Sequence, residues 1–164
     1  VVRMTASGAP EDYSPNAEGY TLAIVATRWN ARIVDMMRER ARDTARELGA
    51  KVEEYLVDGA MELPVLTQAC ARRYDAVVAL GCVIRGKTAH FEVVCDSVTS
   101  GLTRVSLDEG TPVGNGVLTV EDEDQAYERS GGEDAKEDRG ALAVRAALSA
   151  AVELGKVRAL HERD

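Results

Sequence analysis

Nine consecutive residues, Ala76-Val-Val-Ala-Leu-Gly-Cys-Val-Ile84, carry no charge and no polar group beyond one thiol. No polar position alternates with the apolar ones, so a strand over Asp75–Ile84 has no face left for water. Tyr20-Thr-Leu-Ala-Ile-Val-Ala-Thr27 has the same character. Strands buried on both faces belong to parallel sheets that are covered by helices on both sides. The segments between these runs must supply those helices.

They do so by period. From Ala31 to Leu48, Ile33, Val34, Met37, Ala41, Ala45 and Leu48 form one helical stripe, with Asp35/Arg38, Glu39/Arg42 and Asp43/Arg46 as charge pairs elsewhere on the helix. Asn30 suits its N-cap and Gly49 its C′ position. A strand is expected over Lys51–Val57, then a helix over Leu63–Tyr74 with Pro64 in its first turn. Phe91, Val94, Cys95, Val98, Leu102 and Val105 mark an amphipathic helix. Pro112–Thr119 reads as a strand weakened by Gly114 and Gly116, and Asp122–Arg129 as a short helix. A long helix is expected from about Asp134, where Asp134 and Glu137 resemble a capping box. Between Ala141 and Leu154 the only polar residues are Arg145, Ser149 and Glu153, all on one face. So wide an apolar surface points to a neighbouring subunit as well as the home sheet.

Strict alternation of strands and helices gives an α/β fold, a three-layer α/β/α sandwich of flavodoxin-like type on a four-stranded parallel sheet. At 164 residues and 45% hydrophobic the chain supports one well-cored domain. The expected division is a flexible arm over 1–18 and a single domain over 19–164. No run approaches a membrane span, and the N-terminal residues lack a signal-peptide core, so a cytoplasmic protein is expected. The net charge of −8 argues against a nucleic-acid partner. Cys70, Cys82 and Cys95 lie among apolar residues without close pairing, as expected for buried free thiols. With two histidines and no zinc-type cluster, no metal is expected.

In open α/β sheets, ligands bind beyond the carboxyl ends of the strands. Arg28-Trp29-Asn30 follows the first strand, and the lone tryptophan there is either a heterocycle-stacking platform or a packing residue that closes the sheet. The second strand leads to Asp58-Gly-Ala-Met-Glu62, whose N–H groups near a helix start suit a polar ligand. Glu62 either joins that site or caps its own helix. The third strand leads to Arg85-Gly-Lys-Thr-Ala-His90, where Gly86, Lys87 and Thr88 place a turn, a cation and a hydroxyl before a helix, as phosphate binding requires. The wider Gly81 to Thr88 stretch formally fits a Walker pattern, but the apolar residues after Gly81 keep it in the strand and argue against a nucleotide-hydrolysing P-loop. His90 opens the helix beyond this turn, as a proton carrier or simply an exposed side chain.

Taken in order, Arg28-Trp-Asn30, Gly59-Ala-Met-Glu-Leu-Pro64, Gly81-Cys-Val-Ile-Arg-Gly-Lys-Thr-Ala-His-Phe91, Pro112–Thr119, Gln125-Ala-Tyr-Glu-Arg129 and Asp138-Arg-Gly140 resemble the lumazine synthase family over roughly residues 20–154. The resemblance implies a transferase of riboflavin biosynthesis. It would condense 5-amino-6-(D-ribitylamino)uracil with 3,4-dihydroxy-2-butanone 4-phosphate to 6,7-dimethyl-8-ribityllumazine, without a cofactor. It implies that Trp29 and Asn30 meet the pyrimidine, that Gly59, Ala60, Met61 and Glu62 hold the ribityl chain, and that Cys82, Val83 and Ile84 help to bind the ring. Gly86, Lys87 and Thr88 would bind the phosphate, and His90 would transfer protons. Arg129, Arg139 and Asn115 would reach a neighbouring subunit's site, Arg129 and Arg139 as phosphate-binding residues and Arg129 as a catalytic one beside His90. The segment from Arg129 to Arg139 is similar to the longer kink of pentameric members, so a homopentamer is implied.

Three positions depart from the family pattern: Asn115 where Phe is frequent, Arg139 where Lys is usual, and Leu142 where an acid or amide is common. Other readings of the same scaffold are a flavin- or pterin-binding store without catalysis, or a paralogue acting on a related diamine. A flavodoxin-like electron carrier is disfavoured, because no long Ser/Thr-rich phosphate loop follows the first strand.

Overall fold

The computed structural model describes residues 8 and 13–160. The elements run β1 (Thr21–Thr27), α1 (Ala31–Glu47), β2 (Lys51–Val57), a 3-10 turn (Ala60–Glu62), α2 (Leu63–Ala71), β3 (Ala76–Ile84), α3 (His90–Glu109), β4 (Val113–Val120), α4 (Glu123–Glu128) and α5 (Arg139–Ala159). All three strand pairings are parallel, in the order β2-β1-β3-β4. The two apolar runs singled out in the sequence are therefore the two central strands.

Side-chain alternation sorts the core into two layers. Leu22, Ile24, Ala26, Val78, Leu80 and Leu118 pack with Ile33, Met37, Val144 and Leu148 of α1 and α5. Ala23, Val25, Val77, Ala79 and Val117 pack with Leu63, Val98 and Leu102 of α2 and α3. Each fully buried Leu, Ile or Val contributes about 1.5–3 kcal/mol. Among the described residues no helix is long and apolar enough to cross a membrane.

The helix expected to Tyr74 ends at Ala71, where the backbone turns so that the Arg73 and Tyr74 N–H groups both donate to the Cys70 carbonyl. Of the three charge pairs on α1, only Asp35–Arg38 forms, at 3.1 Å. Arg42 instead grips Glu54 of β2 in a fork, Nε–Oε2 2.6 Å and Nη2–Oε1 3.0 Å, because a half-buried carboxylate offers a better partner than an exposed one on the same helix. The last helix does not start at Asp134, which has φ +63° in the connecting loop. It starts at Arg139 with Asp138 as N-cap. Cys70 and Cys82 are buried free thiols as expected, but Cys95 is only partly buried.

The glycines that weaken β4 as a strand let α5 approach it. A Cβ on Gly114 would lie 2.4 Å from the Ala143 carbonyl oxygen, and one on Gly140 would lie 2.6 Å from that of Met37. The sheet and α1 therefore meet α5 backbone to backbone. Part of the polar stripe on α5 is covered by the described N-terminal residues: Arg145 donates to the Ser14 hydroxyl at 2.6 Å, and Ser149 to the Tyr13 hydroxyl at 3.1 Å. Pro15 and Ala17 are buried, so contact with the domain begins before residue 18. The rest of the expected arm, apart from Gly8, lies outside the described residues.

Burial by itself would raise the Glu54 carboxyl, but the Arg42 hydrogen bond and the charges of Arg42 and Arg38 outweigh it and hold the group below its ordinary value. A carboxyl lowered by folding stabilises the fold above its unfolded pKa and loses that contribution as pH falls through the folded one. Below about pH 5 the wild type should lose stability more steeply than Glu54→Gln in denaturant titrations across pH.

Asp138 is 1% exposed. It accepts from Arg40 Nε at 2.7 Å and from the Ala141 N–H at 3.1 Å. Asp138→Ala removes a cap and leaves a part-exposed cation without its partner, so urea melts should show a loss of about 2–3 kcal/mol. Asp138→Asn, which keeps a capping oxygen, should lose about half as much.

Candidate active site

With every strand parallel, Thr27, Val57, Ile84 and Val120 end at the same edge of the sheet. Backbone pairing continues past the strands there. The Arg28 N–H donates to the Val57 carbonyl at 2.8 Å and the Trp29 N–H to the Asp58 carbonyl at 3.1 Å. Arg28 Nη1 and Asp58 Oδ1 pair at 3.0 Å across the same gap. Sequence reading assigned nothing to this pair; its only signal is a cation and an acid each one residue past its strand. An open cleft of about 380 Å³ is lined by Arg28, Trp29, Asn30 and Asp58.

Trp29 is 71% exposed. An indole so placed closes no core, which leaves its face available to a flat ligand. Gly59 borders it: a Cβ there would sit 3.8 Å from Trp29 Cδ1. Glu62 does cap its own turn, since its Oε1 accepts the Gly59 N–H at 3.1 Å. Met61 is exposed beside it, whereas Ala60 is half-buried against the α2–α3 core.

Asn30 does not cap α1 through its side chain. Its backbone is left-handed (φ 56°, ψ 43°), and its carbonyl accepts from Ile33 and Val34. The amide Nδ2 instead donates to the Cys82 carbonyl at 2.7 Å, strapping the end of β1 to β3. The left-handed turn is what aims the amide away from the helix. Asn30→Ala combines a left-handed backbone cost of about 1–2 kcal/mol with loss of the strap, about 1 kcal/mol. Asn30→Gly should restore the first part only, and thermal melts of the two variants should separate them.

Cys82 contributes only its carbonyl here. Burial, and secondarily the charge of Glu123, push its thiol up to about 11, so it stays protonated and inert near neutral pH. Val83 and Ile84 are half-buried at the strand end, on opposite faces of the sheet. Gly81 is paired with Val117 inside the β3–β4 ladder, so it cannot begin a phosphate-wrapping loop and the P-loop reading fails.

Beyond Ile84, the Arg85 N–H donates to the Val120 carbonyl at 2.8 Å. Gly86, Lys87 and Thr88 follow as an exposed turn. A Cβ on Gly86 would meet nothing within 4 Å, and its φ is not left-handed, so neither crowding nor backbone sign demands glycine in this chain. Thr88 Oγ1 accepts the His90 N–H at 3.3 Å. No side chain caps α3 from its N-cap residue Ala89. The first turn of this long helix, with Lys87 before it and exposed His90 on it, keeps N–H groups that an anion could meet, although Thr88 Oγ1 takes that of His90 and Glu92 adds a negative charge.

Three expected residues lie apart from this group. Asn115 pairs with Ala79 well below the strand end at Val120, and its exposed side chain accepts from the Val117 N–H at 2.9 Å. Arg129 donates through Nη1 to the Gln125 carbonyl at 2.9 Å, and its backbone carbonyl accepts from the Arg139 N–H at 3.0 Å. The Ser130–Asp138 bridge thus pinches the connecting loop and brings Arg129 and Arg139 together. Among the described residues, no hydrogen bond or ion pair joins either arginine to Trp29, Lys87 or His90.

The family model described as 6,7-dimethyl-8-ribityllumazine synthase matches residues 19–154. A protein of that name from Corynebacterium glutamicum (strain R) is 56% identical over 156 residues, covering 95% of this chain and 98% of that one. Those from Saccharopolyspora erythraea and Mycobacterium avium (strain 104) are 54% and 53% identical, each spanning 94% of this chain and 94% and 97% of their own. The parallel sheet, the exposed indole at one strand end and the open helix start at another occur on a chain that matches this family almost from end to end, and the chain belongs to the 6,7-dimethyl-8-ribityllumazine synthase family.

Proposed function

We propose that this chain condenses 5-amino-6-(D-ribitylamino)uracil with 3,4-dihydroxy-2-butanone 4-phosphate to 6,7-dimethyl-8-ribityllumazine. The observation that carries the reading is the shared edge of the sheet: a 71%-exposed indole and a helix start with Lys87 and His90 stand at the carboxyl ends of neighbouring strands. A flat heterocycle needs the first and a phosphate the second.

In this reading Trp29 stacks on the pyrimidine while the Gly59–Glu62 turn meets the ribityl hydroxyls. Lys87, Thr88 and the N–H groups opening α3 hold the phosphate. The substrate amine attacks the ketone carbon and water leaves to give an imine. Inorganic phosphate then departs by elimination. The second amine closes the ring with loss of another water. His90 moves protons in these steps, and holding two reactants in register supplies much of the acceleration. The reaction needs no cofactor.

We also propose a homopentamer with sites between subunits, in which Asn115, Arg129 and Arg139 serve the neighbour's site. Their separation from Trp29 supports this, as do exposed Val65 on α2 and Val93 and Leu107 on α3, which subunit packing would cover.

A steady-state assay with both substrates, following lumazine absorbance, tests the reaction, and sedimentation tests the assembly. Turnover that requires both substrates supports it. Tight riboflavin binding without turnover in an assembled protein would replace it with a ligand-storage role.

A further inference from the structure

Arg85 opens the turn that carries Gly86, Lys87 and Thr88, and its guanidinium is engaged on several sides. Nε pairs with Glu121 at 2.9 Å and Nη1 pairs with Glu92. Its Cζ lies 4.4 Å from the centroid of the Phe91 ring. Glu92 and Phe91 are the residues that directly follow His90, so one side chain closes the Arg85–Glu92 segment end to end. Its other partner, Glu121, leads into α4. The Glu121 N–H is held by Gln125 Oε1 at 2.8 Å, and the Gln125 carbonyl in turn receives Arg129 Nη1 at 2.9 Å.

We infer that Arg85 is a positioning residue: through Glu92 and Glu121 it fixes the turn that presents Lys87, Thr88 and His90, and it does not itself bind the anion. The inference rests on the proposed condensation. Two carboxylates compensate the one guanidinium, leaving it no net positive charge to offer a phosphate dianion. The Glu92 hydrogen bond, followed by that of Glu121, holds the Arg85 proton more tightly than usual, and Arg85 in turn keeps the Glu92 carboxyl below its ordinary range. The side chains are 40%, 51% and 58% exposed for Arg85, Glu92 and Glu121, so these pairs add little to global stability. Their effect falls on local order. A short segment tied at both ends has less freedom to lose when a ligand binds.

The test compares wild type, Arg85→Ala, Glu92→Gln and the double variant in two measurements. The first is steady-state kinetics with both substrates; the second is hydrogen exchange of residues 85–92 with and without inorganic phosphate. Both single variants should lower kcat by roughly 10–100-fold, the scale of a small misplacement of reacting groups. They should leave the KM for the ribitylaminouracil within about twofold, because its stacking platform is elsewhere. Melting temperatures should stay within about 3 °C. Exchange across 85–92 should quicken, protection by phosphate should be lost, and the double variant should be no worse than either single.

An arginine that bound the phosphate directly would be released toward it by Glu92→Gln, so the KM for the sugar phosphate would fall in that variant and rise in Arg85→Ala. Opposite signs overturn the inference. Unchanged kcat in an active background overturns it while leaving the proposed reaction intact. Absence of wild-type turnover removes the reaction instead, and exchange then decides: phosphate protection lost in both variants supports the clamp, and protection retained overturns it.

Discussion

Arg129→Ala should lower kcat/KM for the sugar phosphate by about 10²–10³-fold, the usual effect of deleting one preorganised charge-assisted donor to a reacting oxyanion. The expectation rests on the proposed phosphate role and on how this arginine is held. Many of the described arginines are matched to a carboxylate at hydrogen-bond distance, as Arg28, Arg40, Arg42 and Arg72 are. Among the described carboxylates Arg129 pairs with Glu128 alone, at 4.0 Å, and its side chain is 34% exposed. Among the described residues its guanidinium donates to the Gln125 carbonyl, which orients the fork without neutralising it. A dianion would find both the charge and most of the donors available. Arg129→Lys should recover the charge but not the planar fork, and so only part of the rate. Melting temperature should hardly move, since no core contact is lost.

The same residue tests the cross-subunit arrangement. Arg129→Ala and His90→Ala subunits, each nearly inactive alone, should regain activity when co-assembled. An interface that pairs an intact Arg129 with an intact His90 arises in on the order of a quarter of sites by random mixing. Sites built within one subunit would show no such recovery, because every subunit would carry one lesion.

His90→Ala should lower kcat by about 10²-fold or more, within the range of 10²–10⁴ that a positioned proton carrier contributes. The imidazole stands on the first residue of α3, and its backbone N–H is fixed by Thr88 Oγ1 at 3.3 Å. It is exposed, so its loss leaves no cavity and should leave stability near wild type. The KM for the sugar phosphate should change less than tenfold, because Lys87, Thr88 and the helix N–H groups remain. Residual turnover well above the uncatalysed rate is expected, since holding two reactants together survives the substitution. Single-turnover measurements at saturating substrates isolate this step. Loss of all activity would mean that His90 does more than carry protons.

How much of this was legible in the chain differs from element to element. The apolar runs at Tyr20–Thr27 and Ala76–Ile84 predict central strands, and they are the two middle strands of the sheet. Their position follows from composition, since only a doubly covered strand tolerates no polar alternation. The α1 stripe and the Gly49 cap were equally readable: Gly49 sits at φ +93° directly after the C-cap. The start of α5 was not. Both Asp134 and Asp138 carry capping side chains, and choosing between them depends on Arg40, which approaches Asp138 from a distant helix. The pairing of Arg42 followed the same logic, because Glu54 lies on β2 and becomes a partner only once the sheet has formed.

For the candidate site, residue type and spacing were enough to nominate Trp29, the Gly59–Glu62 turn, Lys87 and His90. Spacing could not say whether the indole was buried or open, or that the Asn30 amide would be taken by the Cys82 carbonyl. Nor could it foresee Arg28–Asp58 or the grip of Arg85 on Glu92 and Glu121, whose members are 30, 7 and 36 residues apart. Short-range periodicity and local chemistry encode the order of strands and helices, their buried faces, and the turns nominated to meet a ring and a phosphate. Which polar atoms are engaged and which stay open follows from the packed fold. A charged or amide side chain takes the best partner in space, and that partner is set by parallel strands ending together rather than by distance along the chain.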